Sequence, residues 1–436
     1  MLWSLCGIWG CKTGPNSGRS PAPEPVKVPD PSVGFCDVPL PPWWLHYDPN
    51  LSSAVITYEN IPSAFLEDAK NFEHPIFPLL DLSVTDFLDN PISPLPDAST
   101  VSLSWSHERP QQTPSPALLL ALPLPSLKQI DSFFRVARPQ NAASLSINSL
   151  RFDLSLGPIL STWFRVIIRW GEWHEAMEWL ELALQHEPAF RKEFKKTRNN
   201  LNKISWNGDL TGSGDSTGSL ACFLSEEWLS SSNIDHLCQP LRSEQGQMRG
   251  SVIKIQSPYW MESLRRFHDR CEAGALLYDS AMGWRTLCKQ GMDVVTGAIH
   301  YVAGVANINE NHWISYILDG LRVILVGDSL LEGGEATLER GERAKIINLL
   351  RWWMRQSWKL VGKTPSPIPS SSLNVQRQQD SSSCGIYAFN SIATFFKPKV
   401  YPRLALSSLQ STRAKLFNSI IEHHHSMQVC NVPPAL

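Results

Sequence analysis

QQDSSSCGIYAF, residues 378–389, places one thiol, Cys384, between a run of serines and an apolar segment. Ser381, Ser382 and Ser383 are N-cap residue types, and Gly385 to Phe396 contain no proline, so a helix is expected to open at the cysteine. The positive end of a helix dipole favours a thiolate over a thiol. Upstream, NENHWISYILDGLRVILVGDSL (309–330) puts His312 at the head of one candidate strand (313–318) and Asp328 at the end of the next (321–327). Asp319-Gly320 between these apolar runs reads as a tight type I′ hairpin turn. A histidine there would take the thiol proton and return it to a leaving amine, and a carboxylate would fix its tautomer. Gln378, ahead of the cysteine, would supply an oxyanion donor together with the backbone N–H of Cys384. Nucleophile, base, orienting carboxylate and oxyanion donor are the parts of a cysteine hydrolase.

Each residue alone has a plainer reading. A Cys-Gly before an apolar helix is usually a small buried hydrophobe, and an Asp after a strand usually a turn residue or cap. The joint order of His, Asp, Gln and Cys carries the weight. GDSL (327–330) matches a serine-esterase string, but it follows a hairpin and lacks the rest of that pattern, so Ser329 is not read as a nucleophile. Glu422-His423-His424-His425 is read as a polar helix end, because neighbouring residues on a helix point in different directions; no metal and no cofactor are expected.

The chain has 436 residues with 17 Trp and 17 Phe, enough for at least one large core. Its formal net charge of -2 does not call for nucleic acid, and no apolar run reaches bilayer-spanning length. Nine cysteines without repeated spacing or a CxxC pair suit reduced thiols, hence a nuclear or cytoplasmic, intracellular protein. The opening MLWSLCGIWGCK lacks the basic n-region and cleavage site of a secretory signal, and is read as the ragged start of a gene model.

Proline organises the chain: 22 of the 33 lie in residues 1–150, which read as a low-order region with apolar runs such as PIFPLLDLSV (75–84) that dock onto something. Residues 151–206 form an amphipathic helical arm, with Trp163, Val166, Ile167, Trp170, Trp173, Met177, Leu180 and Leu184 at helical spacing over 159–205. NGDLTGSGDSTGS marks a linker over 207–219. Residues 220–425 read as a mixed α/β catalytic domain, with a strand at 302–308 and helices at 335–359, 385–396 and 404–425; 426–436 form a tail.

NENHW (309–313), VILVGDSL (323–330), QQDSSSCG (378–385) and, further upstream, EEWLSSSNIDHL (226–237) resemble the ubiquitin-like-protein protease family, the SUMO-type cysteine proteases of adenovirus-protease-like fold. The resemblance covers about 220–425. It implies an α+β, papain-like domain with a central mixed sheet flanked by helices. It also implies Cys384 as nucleophile, His312 as base, Asp328 as its orienter and Gln378 as oxyanion donor. Trp228 and Trp313 would form a narrow slot for a Gly-Gly tail, with a SUMO-like modifier and its protein conjugates as partners. Asp380 stands where that family has Asn, and Ser383 where it commonly has Asp. The alternatives are a vestigial modifier-binding module from a mobile-element protein, or an acetyltransferase using the same thiol and imidazole.

Overall fold

The computed structural model describes residues 82–89, 101–108, 125, 129, 132, 144–147, 150–153, 156–210, 215–247, 252–278, 282–320, 322–330, 339–405 and 409–430. Most of the proline-rich region, with 21–31, lies outside them. The end of the docking run 75–84 is described, and it docks. It leads into α1 (Val84–Leu88), capped by the Ser83 hydroxyl, which accepts the Asp86 N–H at 3.1 Å. Val84 and Phe87 are fully buried, and Phe87 stacks on Trp206 with centroids 4.1 Å apart. Farther along, β1 (Leu103–Ser106), β2 (Ser144–Ile147) and β3 (Leu150–Asp153) pair as a small antiparallel sheet.

The arm is two helices, α2 (Leu156–His186) and α3 (Arg191–Leu201), separated by a 3-10 turn at Pro188–Phe190. Proline has no N–H to continue the first helix and a φ suited to opening the next, so the break falls at Pro188. Val166, Ile167, Trp173, Ala176, Leu180 and Ala183 form the buried stripe of α2. The following elements are a 3-10 segment Thr217–Leu224, α4 (Ser231–Gln247), β4 (Ile253–Ile255), α5 (Pro258–Glu272) and α6 (Arg285–Thr296). Then come β5 (Tyr301–Ile308), β6 (His312–Asp319), β7 (Val323–Gly327), α7 (Gly341–Leu360), β8 (Ser370–Ser372), α8 (Cys384–Phe396) and α9 (Leu409–Cys430). The arm packs against α9: Asn200 donates to Asn418 Oδ1 at 2.8 Å, and Asn418 donates to Thr197 Oγ1 at 3.0 Å.

The central sheet has the order β4-β5-β6-β7-β8, parallel at both edges and antiparallel in the middle. It is the mixed sheet of an α+β fold. β5 and β6 are nearly continuous apolar runs because both faces are covered. Val302, Ala306, Ile314, Tyr316 and Val326 face one core with Trp260, Phe267 and Trp353 from α5 and α7. Side chains of β6 on the opposite face meet α8, where Ser391 donates to Ser315 Oγ at 2.6 Å. Full burial of each large apolar side chain is worth about 1.5–3 kcal/mol, so this double-sided layer is the stable platform under the site.

Two turns differ from the sequence reading. The β6–β7 connection spans 320–322 rather than two residues, since Asp319 pairs with Val323. Arg322 N–H donates to Asp319 O at 2.9 Å, so Asp319 closes the strand and Gly320, with φ 48°, takes the first central position of the turn. The left-handed pair lies one turn earlier: Asn309 (φ 53°) and Glu310 (φ 60°) lead into β6 and set the register that starts it at His312.

Candidate active site

Three elements of the sheet layer converge on one point. His312 opens β6, Asp328 follows the last residue of β7, and Cys384 opens α8 on the face beneath them. Ser315 pairs with Gly327, and this register brings the start of β6 beside the end of β7. His312 Nε2 lies 2.8 Å from Asp328 Oδ1, so Nδ1 is the ring nitrogen left for the thiol.

α8 reaches this point because its second residue has no side chain. A Cβ on Gly385 would come 2.7 Å from Ile234 Cδ1 and 3.2 Å from Trp313 Cδ1. Cys384 itself is 1% exposed, and the Trp228 indole Nε1 donates to its sulfur at 3.0 Å. Burial pushes the Cys222 and Cys238 thiols up to about 12, so these two are inert.

Burial by itself would push the His312 pKa down from 6.5. Hydrogen bonding and charge from Asp328 and Cys384 more than offset this and raise it to about 9. The ring is therefore held as imidazolium, with the Asp328 carboxylate on Nε2 and the Cys384 sulfur on its other side. Burial would raise the Asp328 carboxyl, but His312, the Leu330 N–H and Arg343 together hold it below its usual value. Leu330 N–H reaches Oδ1 at 2.9 Å, and Arg343 Nη1 reaches Oδ2 at 2.7 Å.

Arg343 was not legible as a site residue from motif spacing. Its signal was local: a guanidinium in the first turn of α7, where the helix dipole disfavours a cation, needs a specific anionic partner. Ser329 has a part as well, though not as a nucleophile. Its hydroxyl donates to Gln378 Oε1 at 2.9 Å, and its carbonyl accepts the Gln378 N–H at 2.9 Å.

Gln378 is buried beside the cysteine loop, and both bonds from its Nε2 go to Asp380: to the backbone carbonyl at 2.8 Å and to Oδ1 at 3.1 Å. The same carboxylate oxygen accepts the N–H groups of Ser382 (2.8 Å) and Ser383 (2.7 Å). The serine side chains do not cap α8: Ser383 holds the N-cap position without a side-chain cap bond, and Asp380 takes the N–H groups leading into it. A carboxylate accepts these donors with full charge, so Asp380 holds the loop that enters the helix.

The two tryptophans are neighbours, but the slot expected between them is closed. Their rings stack with centroids 5.5 Å apart at 26°, whereas a peptide between two rings needs about 7 Å, two van der Waals contacts. Trp313 is 1% exposed and spends its N–H on Leu229 O at 2.8 Å, so it is a core wall. Trp228 is the less buried ring and lies against the sulfur.

Comparison with protein-family models and with curated protein sequences gives no match. Among solved structures, the chain is similar to the C-terminal Ulp1 protease domain in complex with Smt3, the yeast ortholog of SUMO. The TM-score is 0.39 and the identity 16%, over 53% of this chain and 94% of that one. It is also similar to the Xanthomonas campestris effector protein XopD bound to ubiquitin (TM-score 0.27, 12% identity, 45% of this chain and 91% of that one). A third similar structure is the ASFV pS273R protease (TM-score 0.26, 13% identity, 44% of this chain and 68% of that one). At these values the chemistry rests on the geometry alone.

Proposed function

We propose that the chain is a cysteine-type peptidase or isopeptidase that cuts after the C-terminal Gly-Gly of a ubiquitin-like modifier, SUMO-like in the first instance. The observation that carries this reading is the imidazole of His312 placed between the Asp328 carboxylate and the Cys384 thiol, with its pKa raised to about 9 by both. A histidine built only into a core would have no use for a carboxylate on one side and a thiol on the other.

In the proposed cycle the Cys384 thiolate attacks the terminal glycine carbonyl, and the C–S bond forms as the carbonyl π pair moves to oxygen. The oxyanion is received by the backbone N–H of Cys384 and by the Gln378 amide, once that amide leaves Asp380. His312 gives its Nδ1 proton to the departing lysine amine, and the C–N bond breaks. Water then attacks the thioester, loses its proton to His312, and frees the modifier as a carboxylate with the thiolate restored. Trp228 is the movable wall in this reading. Its displacement from the sulfur opens room for a strand without Cβ atoms, and glycine is the residue that such a gap admits.

We assign the catalysis to residues 220–425, with 151–206 as a buttress that braces α9 through Asn200 and Asn418. No described helix is long and apolar enough to cross a membrane.

The test is labelling of wild type and Cys384→Ala with SUMO, NEDD8 and ubiquitin carrying a C-terminal thiol-reactive warhead. Capture of one modifier by wild type alone supports the reading and names the substrate. A folded wild type that binds a modifier but captures none would make this a binding module instead, a reading favoured by the closed tryptophan pair.

A further inference from the structure

The loop ahead of the nucleophile is organised by one carboxylate oxygen. Asp380 Oδ1 accepts the Ser382 N–H, the Ser383 N–H and the Gln378 amide, at 2.8, 2.7 and 3.1 Å. Its own carbonyl takes the other bond from Gln378 Nε2 at 2.8 Å. Two consequences follow from elementary chemistry. Both amide hydrogens of Gln378 are spent, so an incoming carbonyl oxygen must take one from the Asp380 carboxylate or from its carbonyl. A fixed negative charge also sits at the positive end of α8, where it cancels part of the dipole that favours a thiolate at Cys384.

The charged and titratable groups around Asp380 do not neutralise it by contact. From α9, Arg413 acts on it through space, but its Nη1 and Nη2 bond to Cys222 O (3.0 Å) and Glu227 O (2.7 Å). From α8, Tyr387 feels the carboxylate as a like charge that opposes its ionisation. His312 from β6 is committed to Asp328 and Cys384. Burial would raise the Asp380 carboxyl, but the donors from Ser382, Ser383 and Gln378 hold it below its usual value, so it stays ionised at neutral pH.

We infer that Asp380 is a positioning residue that restrains the site: it shapes the oxyanion loop while keeping the Gln378 amide and the Cys384 thiol in a low-reactivity resting state. The catalytic relevance of this restraint rests on the peptidase reading. Asparagine at the same place would present the same acceptor oxygen to the Ser382 and Ser383 N–H groups without the charge. It would keep the loop and release the restraint. Alanine would remove both.

The experiment compares the full-length wild type, Asp380→Asn and Asp380→Ala in two readouts. The first is the rate of Cys384 alkylation by iodoacetamide against pH, followed by mass spectrometry of the Cys384 peptide. The second is turnover of the fluorogenic C-terminal amide of the modifier captured by wild type. Asp380→Asn is expected to alkylate about two- to five-fold faster near neutral pH, with its profile displaced to lower pH, as removal of one charge near a helix end predicts. Its kcat should rise with little change in KM, while Asp380→Ala should lose kcat and melt at lower temperature. Equal alkylation profiles in wild type and Asp380→Asn would overturn the inference, even if both turn the substrate over. Faster alkylation in Asp380→Asn with no turnover by any form would uphold the restraint and remove the peptidase reading instead.

Discussion

Arg343 grips Asp328 from the side opposite the histidine: its Nη1 donates to Oδ2 at 2.7 Å. The carboxylate that meets the histidine is thereby held from both sides, with Oδ1 aimed at His312 Nε2. Asp328 follows β7 and Arg343 lies in the first turn of α7, so this one ion pair ties a helix to the site.

Removing that grip should misaim the imidazole more than it unfolds the protein. Arg343→Ala is expected to lower kcat by about 10–100-fold, the scale of a small misplacement of a reacting group, with KM nearly unchanged. Arg343→Lys keeps the charge but not the planar fork and should fall between. Steady-state kinetics on a modifier amide would settle it, and a pure KM effect would count against the positioning role.

The pH dependence follows from the His312–Asp328 contact. His312 is raised from 6.5 to about 9, so the stability it contributes is fully present below 6.5 and is lost as pH rises through about 9. Asp328 is lowered, so its contribution is present above its ordinary value of 3.8 and is lost only at more acid pH. Activity should fall above about pH 9 as the imidazolium gives up its proton. Thermal melts of wild type and His312→Asn between pH 6 and 10 should converge toward the alkaline end. Parallel curves would show that the histidine is not held charged.

Gly385→Ala tests how tightly α8 is seated. The added methyl would meet Ile234 and Trp313, both in the packed layer, and overpacking of this kind typically costs about 1–3 kcal/mol. A lower Tm together with slower Cys384 alkylation is expected, because the helix that carries the thiol must shift. An unchanged Tm would mean that the contact relaxes freely.

Glu310→Gly should do the reverse. Glu310 holds φ 60° in the turn before His312, and a non-glycine residue in that region costs about 1–2 kcal/mol. Glycine relieves this at the expense of unfolded-chain entropy, so a net gain of about 0.5 kcal/mol in urea melts is predicted. A loss of stability would show that the glutamate side chain holds the turn.

The chain itself determined the parts of this site that depend on local pattern. An uninterrupted apolar run after Cys384 is a helix, and the apolar runs around Asp319-Gly320 are adjacent antiparallel strands, so the ends of β6 and β7 must meet. Those constraints bring His312 and Asp328 together whatever else the protein does. The tertiary structure alone decided the rest. What organises the loop ahead of α8 depended on where one carboxylate stands relative to the Ser382 and Ser383 N–H groups, a matter of placement rather than of residue type. Arg343 reaches Asp328, Trp228 lies on the sulfur, and the arm braces α9, through side-chain rotamers and distances across segments far apart in sequence. No spacing rule encodes such contacts. They appear only once the core has fixed where each backbone stands, because burial drives collapse without specifying which polar tips will meet.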